Sequence, residues 1–299
     1  MKKSLQLQAE MGAEFGACVF DVTLDCEDGA PVGGEREHAA LVAEMAAGAA
    51  PGARVAVRVH PVDHPAFEDD IRTIVGRAGA RLVHVMVPKV ESVADVERAA
   101  RAVDAAGAPT LGLHALIESP AAVHRSFDIA AHARIQSLSF GLMDFVSAHG
   151  GAIPADGMGV EGQFRHPLVL RAKMEIASAC HAHGKVPSHC VVTEFKNHDA
   201  FREAVRRAAR ELGYTRMWSI HPDQIRLVLG AMAPDARDIE AAAAIVLAAA
   251  RADWAPISHA GKLEDRASYR FHWQVLERAH QTGRPLPSEV RPWFDEVPA

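Results

Sequence analysis

Six segments of the chain place a charged or polar group directly after a short apolar, β-rich run. They are Leu24-Asp25-Cys26-Glu27-Asp28-Gly29, Val57-Arg58-Val59-His60-Pro61, Val87-Pro88-Lys89-Val90-Glu91, Ile117-Glu118-Ser119-Pro120, Phe140-Gly141-Leu142-Met143-Asp144 and Trp218-Ser219-Ile220-His221-Pro222. If these runs are parallel strands, their ends share one face, and several carboxylates meet there. Such acids repel one another unless a cation joins them. Hard oxygen donors suit Mg²⁺, which takes one or two carboxylates and completes its shell with water and substrate. Glu118 and Asp144 are the best pair, because both stand at the end of an apolar run. Taken singly, each acid reads as a helix N-cap or a first-turn acid; it is their recurrence at successive run ends that favours a shared site.

Arg58 lies inside an apolar run, and a charge buried there needs a partner. A clamp on a substrate carboxylate and an ion pair with an acid of the neighbouring strand carry equal weight. A Schiff-base aldolase would need a desolvated lysine, and Lys89 is the only candidate at a strand end. No H-E-x-x-H pair is present, and none of Cys18, Cys26, Cys180 and Cys190 forms a C-x-x-C motif.

The elements that must position these groups alternate. The β-rich runs are Ala17–Leu24, Arg54–His60, Leu82–Val87, Leu111–Ile117, Ile135–Phe140, Lys185–Val192 and Met217–Ile220. Between them lie helical patterns over Arg36–Ala49, Ala66–Arg77, Val93–Ala106, Ala121–Ala133, Leu168–His183 and Asp199–Leu212. Alternation of this kind implies parallel strands joined by right-handed crossovers. Lys3–Gln8 is the candidate eighth strand. The expected fold is therefore α/β, a TIM (β/α)8 barrel over residues 1–232. Residues 233–299 form a C-terminal helical extension, with helices over Asp235–Ala250 and Asp265–Gln281 and an irregular stretch at Trp254–Lys262. An open doubly wound sheet is the competing architecture, but no G-x-G-x-x-G follows the first clear strand. The segment Ser147–Gln163, with five Gly and one Pro, reads as a long loop.

The 299 residues, 49% hydrophobic and 23% charged, describe an ordinary globular protein and exclude a disordered or disulfide-scaffold chain. A net charge of −6 argues against a nucleic-acid partner. No apolar stretch reaches the length of a membrane span. The expectation is a cytoplasmic protein with reduced thiols.

In order and spacing these segments resemble the citrate lyase β-subunit type of the HpcH/HpaI aldolase superfamily, which includes malyl-CoA and citramalyl-CoA lyases. Further matching pieces are Glu194-Phe195-Lys196-Asn197, Pro222-Asp223-Gln224-Ile225 and Gly261-Lys262-Leu263-Glu264-Asp265. The resemblance spans roughly residues 17–280. It implies Mg²⁺ on Glu118 and Asp144, with Glu27 and Asp28 reached through water, and Arg58 beside the oxo acid. It implies a homotrimer or homohexamer. It also implies an acid/base role for Asp265 in a neighbouring subunit's site; on the residues alone Asp265 reads equally as the N-cap of the following helix. Two places depart from the family pattern. Met1–Glu10 replaces an Arg-Ser-x-Leu-type first strand whose basic groups help bind CoA phosphates, so the residues for the carrier are unassigned. Val186-Pro187-Ser188-His189-Cys190 lacks the acid of an Ile-Asp-Gly strand end.

The expected reaction is Mg²⁺-dependent cleavage of a 3-hydroxyacyl-CoA, such as malyl-, citramalyl- or citryl-CoA, into a 2-oxo acid and an acyl-CoA. The alternatives are a CoA-independent class II aldolase of hydroxy-oxo acids, a malyl-CoA thioesterase and a non-catalytic subunit.

Overall fold

The structure is a computed structural model that describes residues 2–30, 32–194 and 196–295. It divides into two compact units, residues 1–9 with 20–228 and residues 10–19 with 229–299.

The first unit is built on one parallel sheet. Its strands are β1 (Val22–Asp25), β2 (Val55–Arg58), β3 (Leu82–Val87), β4 (Leu113–Ile117), β5 (Ile135–Phe140), β6 (Val186–His189) and β7 (Arg216–Met217), paired in chain order. Side chains alternate faces along a strand. One register row, Leu24, Val57, Val85 and Leu113, is fully buried in the main apolar core. Helices such as Val93–Ala105 cover that face through Val96, Ala99, Ala100 and Val103, the i, i+3, i+4, i+7 stripe of an amphipathic helix. The adjacent row, Asp25, Arg58, Met86, His114 and Ser137, lies on the other face of the sheet.

The expected eighth strand is absent. Residues Lys3–Gln8 belong to a helix, Lys2–Phe15. The Leu5/Leu7 alternation is only two residues long, and the rest of the segment (Lys, Gln, Ala, Glu, Met) consists of helix formers. Gln8 from this helix is buried. Its Nε2 donates to the carbonyls of Phe20 (2.7 Å) and Arg54 (2.9 Å), satisfying main chain just ahead of β1 and β2. The sheet therefore has seven strands, and among the described residues no ladder joins β7 to β1. It is a curled half-barrel. Side chains span the gap that a ladder would have closed: Arg216 of β7 pairs with Asp21 just ahead of β1, and the Arg58 guanidinium of β2 lies 5.4 Å from the Trp218 ring.

In the second unit the helices Ala236–Arg251 and Arg266–Gln281 share a core of Ile239, Ala242, Ala243, Val246, Leu276 and Ala279. The stretch expected to be irregular holds a hairpin, β8 (Ile257–His259) with β9 (Lys262–Glu264). Its two-residue turn, Ala260-Gly261, has φ of 48° and 77°, the left-handed pair that short hairpins favour.

Candidate active site at the carboxyl ends of the strands

Glu118 immediately follows β4 and is buried. Its successors explain the sharp stop of the strand. Ser119 caps the next helix by accepting the Ala122 amide (3.0 Å), and Pro120 occupies the first helical turn, where a missing N–H costs nothing. Asp144 sits in the first turn of the helix Leu142–Ser147 after β5. Between them lies Gly141, and a Cβ there would come within 2.5 Å of the Glu118 side chain. Only glycine lets β5 pass so close to that carboxyl.

The Asp144 carboxyl neighbours Glu118 and acts on it electrostatically. Burial pushes the Glu118 carboxyl up to about 8, helped by the charges of Asp144 and Glu27, although the Lys89 amide donates to it at 2.9 Å and opposes the shift. Two acids held this way are poised to share a cation.

The β1 end supplies the other acids. Asp25 is the residue whose role the segment pattern did not assign. Its two oxygens accept Arg58 Nε (2.7 Å) and Nη2 (2.5 Å), along with the backbone amides of Glu27 and Gly29 (3.0 Å each). Burial raises the Asp25 carboxyl, but these donors outweigh it and hold it below its ordinary range. Of the two readings of Arg58, the ion pair with the neighbouring strand is what the geometry displays. One edge of the guanidinium is filled by Asp25; the other, Nη1, lies 2.8 Å from Glu27 Oε2 and 3.7 Å from Asp28 Oδ2.

The Glu27 side chain is only 6% exposed, and Lys89 Nζ bonds its Oε1 at 2.8 Å. Burial raises its carboxyl, and Lys89 and Arg58 more than reverse this. Asp28 moves the other way, raised by partial burial and by the Glu27 charge. Burial pulls the Lys89 ammonium down, but Glu27, Asp144 and Asp28 hold it above its usual value. A lysine so paired keeps its proton, which disfavours the Schiff-base route.

Five carboxylates (Asp25, Glu27, Asp28, Glu118 and Asp144) thus face two cationic groups, Arg58 and Lys89. The acid surplus suits a divalent cation. Among the described residues no three His, Cys, Asp or Glu side chains cluster as a closed metal cage. Mg²⁺ needs no such cage, since one or two carboxylates plus water and substrate suffice. Glu27 Oε2 is buried without a hydrogen-bond donor among the described residues, because the Arg58 approach lacks hydrogen-bond geometry. A buried oxygen held by an ion pair but not by a hydrogen bond leaves Glu27 able to accept from the water of a hydrated cation. Glu118 and Asp144 would hold the metal, with Glu27 in reach of its waters.

The remaining segments have structural work. Gln224 accepts the amides of Ile220 (2.9 Å) and His221 (3.3 Å) and donates to the Val192 carbonyl (2.8 Å), which pins the turn after β7. Glu194 closes its own loop by accepting the amides of Lys196 and Asn197. Phe195 of that segment lies outside the described residues. At the β6 end, where the family acid is missing, Lys173 is fully buried. It donates to Gln163 (2.7 Å) and to the Nε2 lone pair of His189 (2.8 Å). Asp265 belongs to the second unit and is exposed there. It caps the helix Arg266–Gln281, its Oδ1 accepting the amides of Ala267 (2.9 Å) and Ser268 (3.4 Å).

Comparison with known proteins identifies relatives of the chain. An L-malyl-CoA/β-methylmalyl-CoA lyase of Cereibacter sphaeroides is 29% identical over 283 residues, 86% of each chain. The crystal structure of a citrate lyase from Burkholderia xenovorans has 46% identity and a TM-score of 0.85, covering 98% of this chain and 92% of its own. The CitE protein of Mycobacterium tuberculosis, solved with magnesium, acetoacetate and coenzyme A, shares the fold. It has 23% identity and a TM-score of 0.67, over 92% of this chain and 94% of that one. The HpcH/HpaI aldolase/citrate lyase family model matches residues 8–222, the stretch that carries every strand of the curled sheet and all five acids at its carboxyl ends. The chain accordingly belongs to the HpcH/HpaI aldolase/citrate lyase family and is a carbon–carbon lyase.

Proposed function

We propose that this chain is a Mg²⁺-dependent lyase of 3-hydroxyacyl-CoA substrates of the malyl-, citramalyl- or citryl-CoA kind, releasing a 2-oxo acid and an acyl-CoA. The observation that carries the reading is the pair of Glu118 and Asp144, neighbouring acids inside an acid surplus at the strand ends. The names of the Cereibacter and Mycobacterium relatives supply the substrate class.

Bound Mg²⁺ would act as a Lewis acid toward the carboxylate and hydroxyl oxygens of the substrate. Glu118 and Asp144 would hold it, and Glu27 and Asp28 would order its waters. Arg58 would lend positive charge through Nη1 to the alkoxide formed when the hydroxyl gives its proton to a water ordered by Glu27 and Asp28, and that alkoxide becomes the carbonyl as the carbon–carbon bond breaks. Asp25 keeps that guanidinium from swinging away. The carbon–carbon bond electrons pass to the thioester as an enolate. Asp265 of a neighbouring copy in a homotrimer or homohexamer would then protonate the enolate carbon.

A panel of malyl-, citramalyl- and citryl-CoA, assayed with and without Mg²⁺ for both 2-oxo acid and free CoA, tests this. Formation of 2-oxo acid and acyl-CoA that stops on chelation is the expected result. Free hydroxy acid plus CoA, without 2-oxo acid, would make the protein a thioesterase.

A further inference from the structure

Lys89 stands out among the residues around the acids. It has φ of 52°, in the left-handed region that side-chain-bearing residues seldom occupy. Non-glycine residues persist there only where the surroundings over-determine them, and such positions gather at functional sites. What holds Lys89 is visible. Its main-chain N–H donates to Glu118 Oε1 at 2.9 Å, toward β4. Its ammonium reaches back to Glu27 Oε1 at 2.8 Å, beyond β1. The next residue, Val90, rejoins β4 by donating to the Leu116 carbonyl at 3.3 Å. One residue just past β3 therefore ties together acids from the ends of two strands that are not neighbours in the sheet.

We propose that Lys89 is a positioning residue whose amide and ammonium set Glu118 and Glu27 in register for one divalent cation. The inference rests on the reading of Glu118 as a magnesium ligand. A plain counter-charge and a positioning group make opposite predictions here. If Lys89 only neutralised its neighbours, removing its ammonium would tighten the binding of another cation by leaving more negative charge. If it positions Glu27, removal loosens that binding.

The test is a substrate-free Mg²⁺ titration by calorimetry on the full chain, with a thermal melt of each variant to confirm folding. Lys89→Gly keeps the amide and adopts the left-handed backbone freely but loses the ammonium. Lys89→Val loses the ammonium, and its β-branched side chain opposes the conformation that aims the amide. Lys89→Arg keeps a cation of similar reach. Loss of an outer-shell partner costs a metal site roughly 10–100-fold in affinity. The Val variant should fall in that range, the Gly variant should weaken by less, and the Arg variant should stay near the parent. Should the Val variant not fold, the Gly variant decides alone. A folded Gly variant that binds Mg²⁺ as tightly as the parent, or more tightly, overturns the positioning role. A parent chain that binds no Mg²⁺ overturns the magnesium reading itself, so the two failures are separable.

Discussion

The two ends of the same sheet handle charge in opposite ways. At the amino end, Asp21 is shared by Arg54 (2.6 Å) and Arg216, two cations around one acid. Burial raises the Asp21 carboxyl, but the two arginines outweigh it and hold it below its usual value of 3.8. At the carboxyl end, five acids face two cations, and Glu118 is pushed up to about 8. The amino end is arranged to hold the sheet's last strand near its first. The carboxyl end gives up stability by crowding like charges, and such a cost persists where a site needs it. In barrel-like folds the amino face reads as stability and the carboxyl face as chemistry.

This contrast can be broken by substitution, and the largest effect is expected at Glu118. Glu118→Gln should cost more than the ~100-fold at the upper end for an outer-shell partner, in Mg²⁺ affinity and turnover alike. Without metal it should melt close to the parent, because Gln keeps the size and polarity of a carboxyl that burial already holds mostly protonated near pH 7. Unchanged Mg²⁺ affinity in calorimetry would remove Glu118 as a ligand. Next comes Asp265→Asn, which should lower turnover by about 10²–10⁴, the range of a lost general acid, while Mg²⁺ binding stays intact. Full activity in that variant would leave Asp265 as only the helix cap it visibly is.

Arg58→Lys is smaller still. A lysine cannot make the two-pronged contact with Asp25 and still reach Glu27, so a roughly ten-fold drop in kcat/KM is expected, with metal affinity nearly unchanged. A parent-like kcat/KM would show that the guanidinium fork is dispensable.

The amino end should answer in stability alone. Asp21→Asn should cost about 1–2 kcal/mol by urea unfolding at pH 7, discounted because Arg54 and Arg216 are 50% and 30% exposed. The Asp21 pKa is depressed in the fold, so its contribution is complete above the unfolded value of 3.8 and is lost as pH falls through the lower folded value. The gap between parent and variant should therefore be constant above about pH 5 and shrink below pH 4. A gap that persists at pH 2 would mean that packing, not charge, carries the Asp21 effect.

How far the sequence could be read depends on whether a feature is local. The seven strands follow from apolar runs bounded by helical periodicity, and each expected run overlaps a strand. Ser119-Pro120 announces a helix start in two residues, and Glu118 stands out because it closes a β-rich run, while Asp144 follows the next run by four residues, in the first turn of a helix. These signals need no knowledge of neighbours. Lys3–Gln8 was misread because a strand there would rest on a two-residue alternation, too weak against the helix propensity of the residues around it. Gln8 then serves β1 and β2 by side-chain bonds that no periodicity encodes. The hairpin at Ile257–Glu264 escaped for a similar reason, since its turn lacks the Asn-Gly or Asp-Gly signal.

The sequence by itself determined the alternating architecture and which acids stand near the strand ends, because strand ends and residue types are written locally. Only the tertiary structure decided how those acids divide the available cations. Arg58 left two readings open in one dimension, and the register Asp25↔Arg58 chose the ion pair. Lys89 looked like a nucleophile candidate until the fold placed its ammonium on Glu27 and its amide on Glu118. Charge pairing falls off with distance in space, so it is settled by which strands lie side by side, a fact that exists only once the sheet has formed.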